Sequence, residues 1–229
     1  MNFDYIDKNF RELTEEIRAL GEQYGREITL VSVTKSGSDE ELCALAAAGA
    51  RDIGENRPGE LERRGKLLLE QGFSPALHEI GNLQRNKVKL IIETVSLIHS
   101  LDTLALAKEI DKQAAKVGRR VPVLIEVNSA REEQKGGVLP EDVENFLIEV
   151  RKFQNLEVMG LMTMGPVVDD PELIRPYFKL TRELFEKLKN TYGFVNGGIL
   201  SMGMSDSYKV AIEEGSTLVR VGRRLFNKN

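Results

Sequence analysis

Lys35 follows the apolar run Ile28-Thr29-Leu30-Val31-Ser32-Val33, with only Thr34 between. A primary amine there can act as a nucleophile toward aldehydes. If its stem emerges from an apolar interior, the ammonium is poorly hydrated, and the lowered pKa leaves more free amine. The alternative is a strand-end lysine that snorkels to solvent. A second kind of chemistry is written in Ser201-Met202-Gly203-Met204-Ser205-Asp206 and in Gly222-Arg223. Glycine lets a backbone approach an anion, the hydroxyls of Ser201 and Ser205 can donate to it, and Ser205 is also placed to cap a following helix. Ordinary strand-to-helix turns use the same residue types, so this pattern gains meaning only in context.

Other candidates are weaker. His78 and His99 are far apart in the chain and lack a Cys, His or carboxylate ligand pattern, so each is expected as a hydrogen-bonded histidine at a strand end and not as a metal ligand. There is no G-x-G-x-x-G, P-loop or G-x-S-x-G. Cys43, beside Leu42, Ala44 and Leu45, is expected in a core, not as a nucleophile. Met159, Met162 and Met164 are expected to fill core or mouth space, and the basic stretch 112–120 to be a solvated helix end.

What must position these residues is a regular alternation of elements. Phe10, Leu13, Ile17, Leu20 and Tyr24 recur at helical spacing. Short apolar runs predict strands at 28–33, 50–54, 76–81, 96–100, 121–128, 156–163, 198–202 and 217–221, with helical patterns in most gaps. Ser38 followed by acids opens one of those helices. Without a long linker or a break in composition, the pattern points to α/β class: a single-domain TIM-type (β/α)8 barrel over 1–229, with an N-terminal helix at about 3–24 and the barrel at about 28–226. A doubly wound open sheet is the competing architecture.

Closing such a barrel makes the first strand a neighbour of the last. Lys35 then faces the loops after strands seven and eight, where barrel phosphate sites are frequently built. An amine beside a phosphate cradle suits a phosphorylated aldehyde held as a Schiff base, and pyridoxal 5'-phosphate fits that description.

Composition narrows the class. Of 229 residues, 41% are hydrophobic and 30% charged, which is globular and not disordered. A net charge of -4 argues against a dedicated nucleic-acid or membrane-surface binder. One cysteine forms no intrachain disulfide. No apolar run approaches the roughly 18 residues of a membrane span, and the first residues lack a signal-peptide pattern. The expectation is a cytoplasmic protein.

Several segments carry a resemblance. Val33-Thr34-Lys35, Ile53-Gly54-Glu55-Asn56, His78-Glu79-Ile80-Gly81-Asn82-Leu83-Gln84-Arg85-Asn86-Lys87, Gly160-Leu161-Met162-Thr163, the stretch 200–206 and the stretch 216–222 together resemble the YggS/PROSC family of pyridoxal phosphate homeostasis proteins, in order, from about residue 28 to 226. The resemblance implies a barrel similar to the N-terminal domain of alanine racemase, with pyridoxal phosphate held as an aldimine on Lys35. It implies phosphate binding by Ser201, by Met202, Gly203 and Ser205, and by the Gly222 and Arg223 amides. It places Arg220 at the pyridine nitrogen and Asn56 at the cofactor's edge. Members of this vitamin B6 family look like carriers or regulators of free cofactor, not enzymes, and lack the second domain through which racemases dimerise. A monomer that passes cofactor to apo-enzymes is the simplest expectation. Two positions depart from the common pattern: Arg223-Arg224 stands where Thr and a small residue are frequent, and Asn227 replaces a usual Gly.

Two other functions compete. An amino-acid racemase needs acid/base groups on both faces of the cofactor; Lys35 serves one, but Tyr5, Tyr24, Tyr177, Tyr192 and Tyr208 all fall in predicted helices or near their ends. A sugar-phosphate enzyme with Lys35 as base would be colourless as purified.

Overall fold

Eight strands form, each from one of the apolar runs: β1 (Thr29–Val33), β2 (Asp52–Glu55), β3 (Ala76–Glu79), β4 (Leu97–Leu101), β5 (Val121–Glu126), β6 (Leu156–Met162), β7 (Ile199–Ser201) and β8 (Leu218–Val221). They pair in parallel and in chain order, and β8 returns to β1 to close the barrel. The open-sheet alternative is thereby excluded. β5 is two residues shorter than expected, because Val127 leaves the ladder to bridge Val138. The computed structural model describes residues 3–228, so Met1, Asn2 and Asn229 of the expected 1–229 domain lie outside the described residues.

Helices cover the outside: α1 (Asp4–Gln23), α2 (Asp39–Ala47), α3 (Pro58–Glu70), α4 (Val88–Ile91), α5 (Leu104–Lys116), α6 (Val143–Val150), α7 (Arg175–Tyr192) and α8 (Tyr208–Glu213). α1 buries Ile6, Leu13 and Ile17 along one face and packs between α2 and α8, beside the β8–β1 seam. α2 starts where Ser38 and Glu41 cap each other reciprocally: the Glu41 N–H donates to Ser38 Oγ, and the Ser38 N–H to the Glu41 carboxylate.

Two apolar layers result. The larger lies between strands and helices. The smaller fills the barrel, where Val31, Leu97, Leu124, Met162 and Leu218 meet, with Met159, Met164 and Ile199 against them. Alternation along a strand explains the split: Val31 points inward, whereas Ser32 and Thr34 face the helices. On the same inward parity the barrel also buries His78, His99, Glu126, Ser201 and Arg220. Polar groups in such a place must find partners, and these partners organise the site.

Candidate functional site at the barrel mouth

β1 ends at Val33, and the chain turns out of the barrel at once, the Gly37 N–H donating to the Thr34 carbonyl at 2.9 Å. Lys35 rides on that turn. It is exposed and has no hydrogen-bond or ion-pair partner among the described residues. The buried stem expected from its strand-end position is therefore not found: two residues after the strand, the side chain has left the apolar interior and meets water. The turn itself is rigidly held. Arg64 of α3, buried, donates to the Thr34 and Gly37 carbonyls and to Glu55, each at 2.6 Å, and the Thr34 hydroxyl donates to the same Glu55 oxygen at 2.5 Å. Hydrogen bonds of this kind, four on the two charged groups and the turn, are what make a buried ion pair tolerable, although Arg64 Nε has no hydrogen-bond partner among the described residues.

Val33 pairs with Gly54 across β1 and β2. Lys35 and Asn56 each lie two residues further on, so they leave the barrel side by side, both exposed. On the other side of β1 is Gly222, where a Cβ would sit 2.8 Å from the Val33 carbonyl oxygen. The missing side chain is what lets the loop after β8 close against the strand that carries Lys35.

The loops after β7 and β8 touch, with the Gly222 N–H donating to Ser205 Oγ at 3.4 Å and Asp206 paired to Arg223 at the surface. Among the described residues, the N–H groups of Ser205, Asp206 and Arg223 have no intramolecular acceptor. Unfilled donors on two adjoining loops fit an anion such as a phosphate. Gly203 makes the bend possible: its φ is +90°, and a Cβ would lie 2.5 Å from the Ala211 Cβ of α8. Met202 has nothing to offer a ligand at the mouth. Its side chain is in the outer core, its N–H is bonded to Leu218 and Ser216, and its carbonyl to Ser216. The Arg223 charge is answered by Asp206, so it is not a spare cation.

Inside the barrel, Arg220 is buried, with Nη1 donating to Ser201 Oγ at 2.5 Å and Nη2 to the Thr163 carbonyl at 3.1 Å. Burial pulls its guanidinium down to about 10, with Glu126 opposing, so it remains a cation at neutral pH. Glu126 is itself pushed up to about 7 by burial, and further by Asp102, while Arg220 works against the shift. Ser201 is wholly buried: its oxygen lies between Arg220 and His99 Nδ1, the latter at 3.1 Å. It stands inside the barrel, not among the phosphate-loop donors. His99 Nε2 is 3.0 Å from His78 Nδ1, and His78 Nε2 is 3.0 Å from Asp52 Oδ1 at the opposite end of the barrel.

The structure thus brings together Lys35, Asn56, Gly222 and, through Gly222, Ser205 and Arg223, with Arg220 beneath them in the wall. It sets Met202 apart. It also revises the reading of the histidines, which are mid-strand partners of each other and not separate strand-end residues. Sequence reasoning missed Arg64, Asp52 and Glu126. For Glu126 a signal existed, since a carboxylate at the end of an apolar strand on the inward parity must face the mouth. Cys43 is half-buried on α2, with its thiol pushed up by burial and then by Asp39 and Glu40. A cleft of about 740 Å³ opens at the opposite face, under α1, and contains Asp52 but none of the mouth residues.

Comparison with known proteins agrees with this fold. The family described as "Alanine racemase, N-terminal domain" matches residues 7–229. A protein of Aquifex aeolicus named pyridoxal phosphate homeostasis protein is 42% identical over 199 residues, covering 87% of this chain and 86% of its own. One of the same name from Deinococcus radiodurans is 39% identical, covering 92% of this chain and 95% of its own. PipY of Synechococcus elongatus, solved with pyridoxal phosphate bound, superposes with a TM-score of 0.83 at 27% identity, over 97% of this chain and all of its own. Alanine racemase of Clostridium difficile shares the fold at a TM-score of 0.73 and 18% identity, with 56% of its length covered.

Proposed function

Because the chain belongs to the family of pyridoxal phosphate homeostasis proteins, within the alanine racemase N-terminal domain family, we propose that it binds pyridoxal 5'-phosphate at the barrel mouth, as a Schiff base on Lys35, and buffers or delivers the cofactor in the cytoplasm. When bound, the cofactor supplies an aldehyde carbon for an amine and a ring able to accept electrons. The observation that carries the reading is the β8–β1 seam: Gly222 packs on the Val33 carbonyl, two residues from an unpartnered Lys35, and adjoins the unfilled amides of Ser205, Asp206 and Arg223.

The chain's residues divide the task. The Ser205, Asp206 and Arg223 amides and the Ser205 hydroxyl hold the phosphate. Asn56, beside Lys35, borders the ring. Arg220 would meet the ring nitrogen of a bound cofactor and could only donate to it, which would disfavour protonation there and make the ring a poor electron sink for amino-acid chemistry. The Arg64 clamp fixes the Lys35 turn without burying the amine, which keeps the bond to the cofactor open to water and exchange.

A racemase reading lacks a tyrosine or cysteine at a strand end to serve as the second acid/base group. Tyr5, Tyr177, Tyr192 and Tyr208 lie on the outer helices and Tyr24 caps α1, while the Tyr208 hydroxyl is tied to Arg224. We therefore favour a monomeric carrier whose partners are apo-enzymes that need pyridoxal phosphate. The test loads the protein with cofactor, mixes it with an apo-enzyme, and in parallel assays racemase, transaminase and decarboxylase activity over a panel of amino acids. Transfer without turnover is expected. Turnover near the common enzyme value of about 10 s⁻¹ on any amino acid would overturn the carrier reading.

A further inference from the structure

Five side chains from five strands cross the barrel in one line of hydrogen bonds: Arg220 of β8, Ser201 of β7, His99 of β4, His78 of β3 and Asp52 of β2. Four of them are buried, and Asp52 alone, at the far end, reaches the cleft under α1. With one proton on each imidazole, the chemistry of the two ends sets the direction of every bond between them.

Arg220 carries only donors, so Ser201 Oγ accepts from it. The Asp52 carboxylate only accepts, so His78 presents Nε2–H to it. A neutral His78 with its proton on Nε2 has a bare Nδ1, which accepts from His99 Nε2–H. His99, held neutral by total burial, with His78 and Arg220 adding to the effect, then has a bare Nδ1 of its own. That atom accepts the Ser201 hydroxyl proton. Each of the three interior groups donates once and accepts once along the line.

From this we infer that Asp52, His78, His99 and Ser201 are positioning residues, forming a directed hydrogen-bond chain that runs from Arg220 to Asp52 and fixes the guanidinium which, on the function proposed above, meets the cofactor's ring nitrogen. Ser201 is committed to the chain: its proton goes to His99 and its oxygen to Arg220, so it is not free to donate to a phosphate. The carboxylate at the barrel floor selects one orientation. An amide in its place can accept from His78 or donate to it, and donation would reverse both the His78–His99 and the His99–Ser201 bonds.

The chain has only two histidines, so selective ¹⁵N-histidine labelling reports on the line and nothing else. In the protein without cofactor, both imidazoles are expected as the Nε2–H tautomer with bare Nδ1. In Asp52→Asn, which keeps size and shape, a mixture with the Nδ1–H tautomer is expected, together with about tenfold weaker pyridoxal phosphate binding, the scale of one hydrogen bond near a charge. Nδ1–H on His99 in the unaltered protein would overturn the direction. Mixed tautomers in Asp52→Asn with unchanged cofactor affinity would overturn the positioning role. If the unaltered protein shows the tautomer order but takes up no cofactor, the failure lies with the proposed function and removes the chain's stated target.

Discussion

Gly222 and Val33 meet across the seam that closes the barrel, so closely that a Cβ on Gly222 would lie 2.8 Å from the Val33 carbonyl oxygen. The contact is backbone on backbone and cannot be relieved by turning a side chain. It places the loop after β8 beside the strand that carries Lys35, so a structural requirement and a binding site share one glycine.

Gly222→Ala should therefore act on both. Separating β8 from β1 by a few tenths of an ångström is expected to lower stability by about 1–3 kcal/mol, the range for overpacked positions, and to weaken pyridoxal phosphate binding more than Ser205→Ala does. Urea unfolding and a cofactor titration on the same variant measure the two effects. A destabilised variant with unchanged affinity would mean that the loop after β8 does not touch the cofactor.

The two serines of the Ser201–Ser205 segment should separate by ligand. Ser205 lies in the loop that adjoins Gly222, whereas Ser201 is inside the barrel beneath Arg220. Ser205→Ala is expected to weaken binding of pyridoxal phosphate by about 1–3 kcal/mol, as for a lost hydrogen bond to an anion, while leaving unphosphorylated pyridoxal unaffected. Ser201→Ala should weaken both. Binding measured side by side with the two compounds checks this, and an Ser201→Ala variant that affects only the phosphorylated one would return that serine to the phosphate.

How much of this was legible in the sequence depends on what each residue needs from its neighbours. The strands were readable because short β-branched runs between helical patterns have no other soluble packing. Lys35 was readable as a residue just beyond such a run, but not its exposure, which depends on the turn clamped by Arg64 from a helix 30 residues away. Ser201 and Ser205 look alike in the sequence. Only the β7–β8 register and the inward parity put one beneath Arg220 and the other in the loop. The pairing of His78 with His99 was hidden for the same reason: it needs two strands side by side with matching parity, whereas spacing along the chain says nothing about it.

Stability should fall toward alkaline pH because of Glu79. It is buried on β3 opposite Glu55, it accepts the Gly81 N–H at 3.1 Å, and its other oxygen has no partner among the described residues. Burial pushes its carboxyl up to about 8, with Glu55 adding to the shift and the Gly81 N–H opposing it. The folded value lies above the unfolded one, near 4.5. Its contribution is thus complete below pH 4.5 and lost as pH rises through 8. Unfolding midpoints between pH 6 and 9 should drop in the wild type, with Glu126 contributing to the same trend. Glu79→Gln should be flatter by about 1–2 kcal/mol over that window. Parallel pH profiles would show that Glu79 is ionised in the folded protein.

The central claim is that Lys35, alone among the lysines of this chain, holds the cofactor covalently. The direct measurement is borohydride reduction of the protein incubated with pyridoxal phosphate, followed by peptide mapping. The account predicts a pyridoxyl group on the peptide containing Lys35, with loss of both the label and the visible absorbance in Lys35→Ala. A label on Lys87, Lys135 or any other lysine, with Lys35 unmodified, would contradict it.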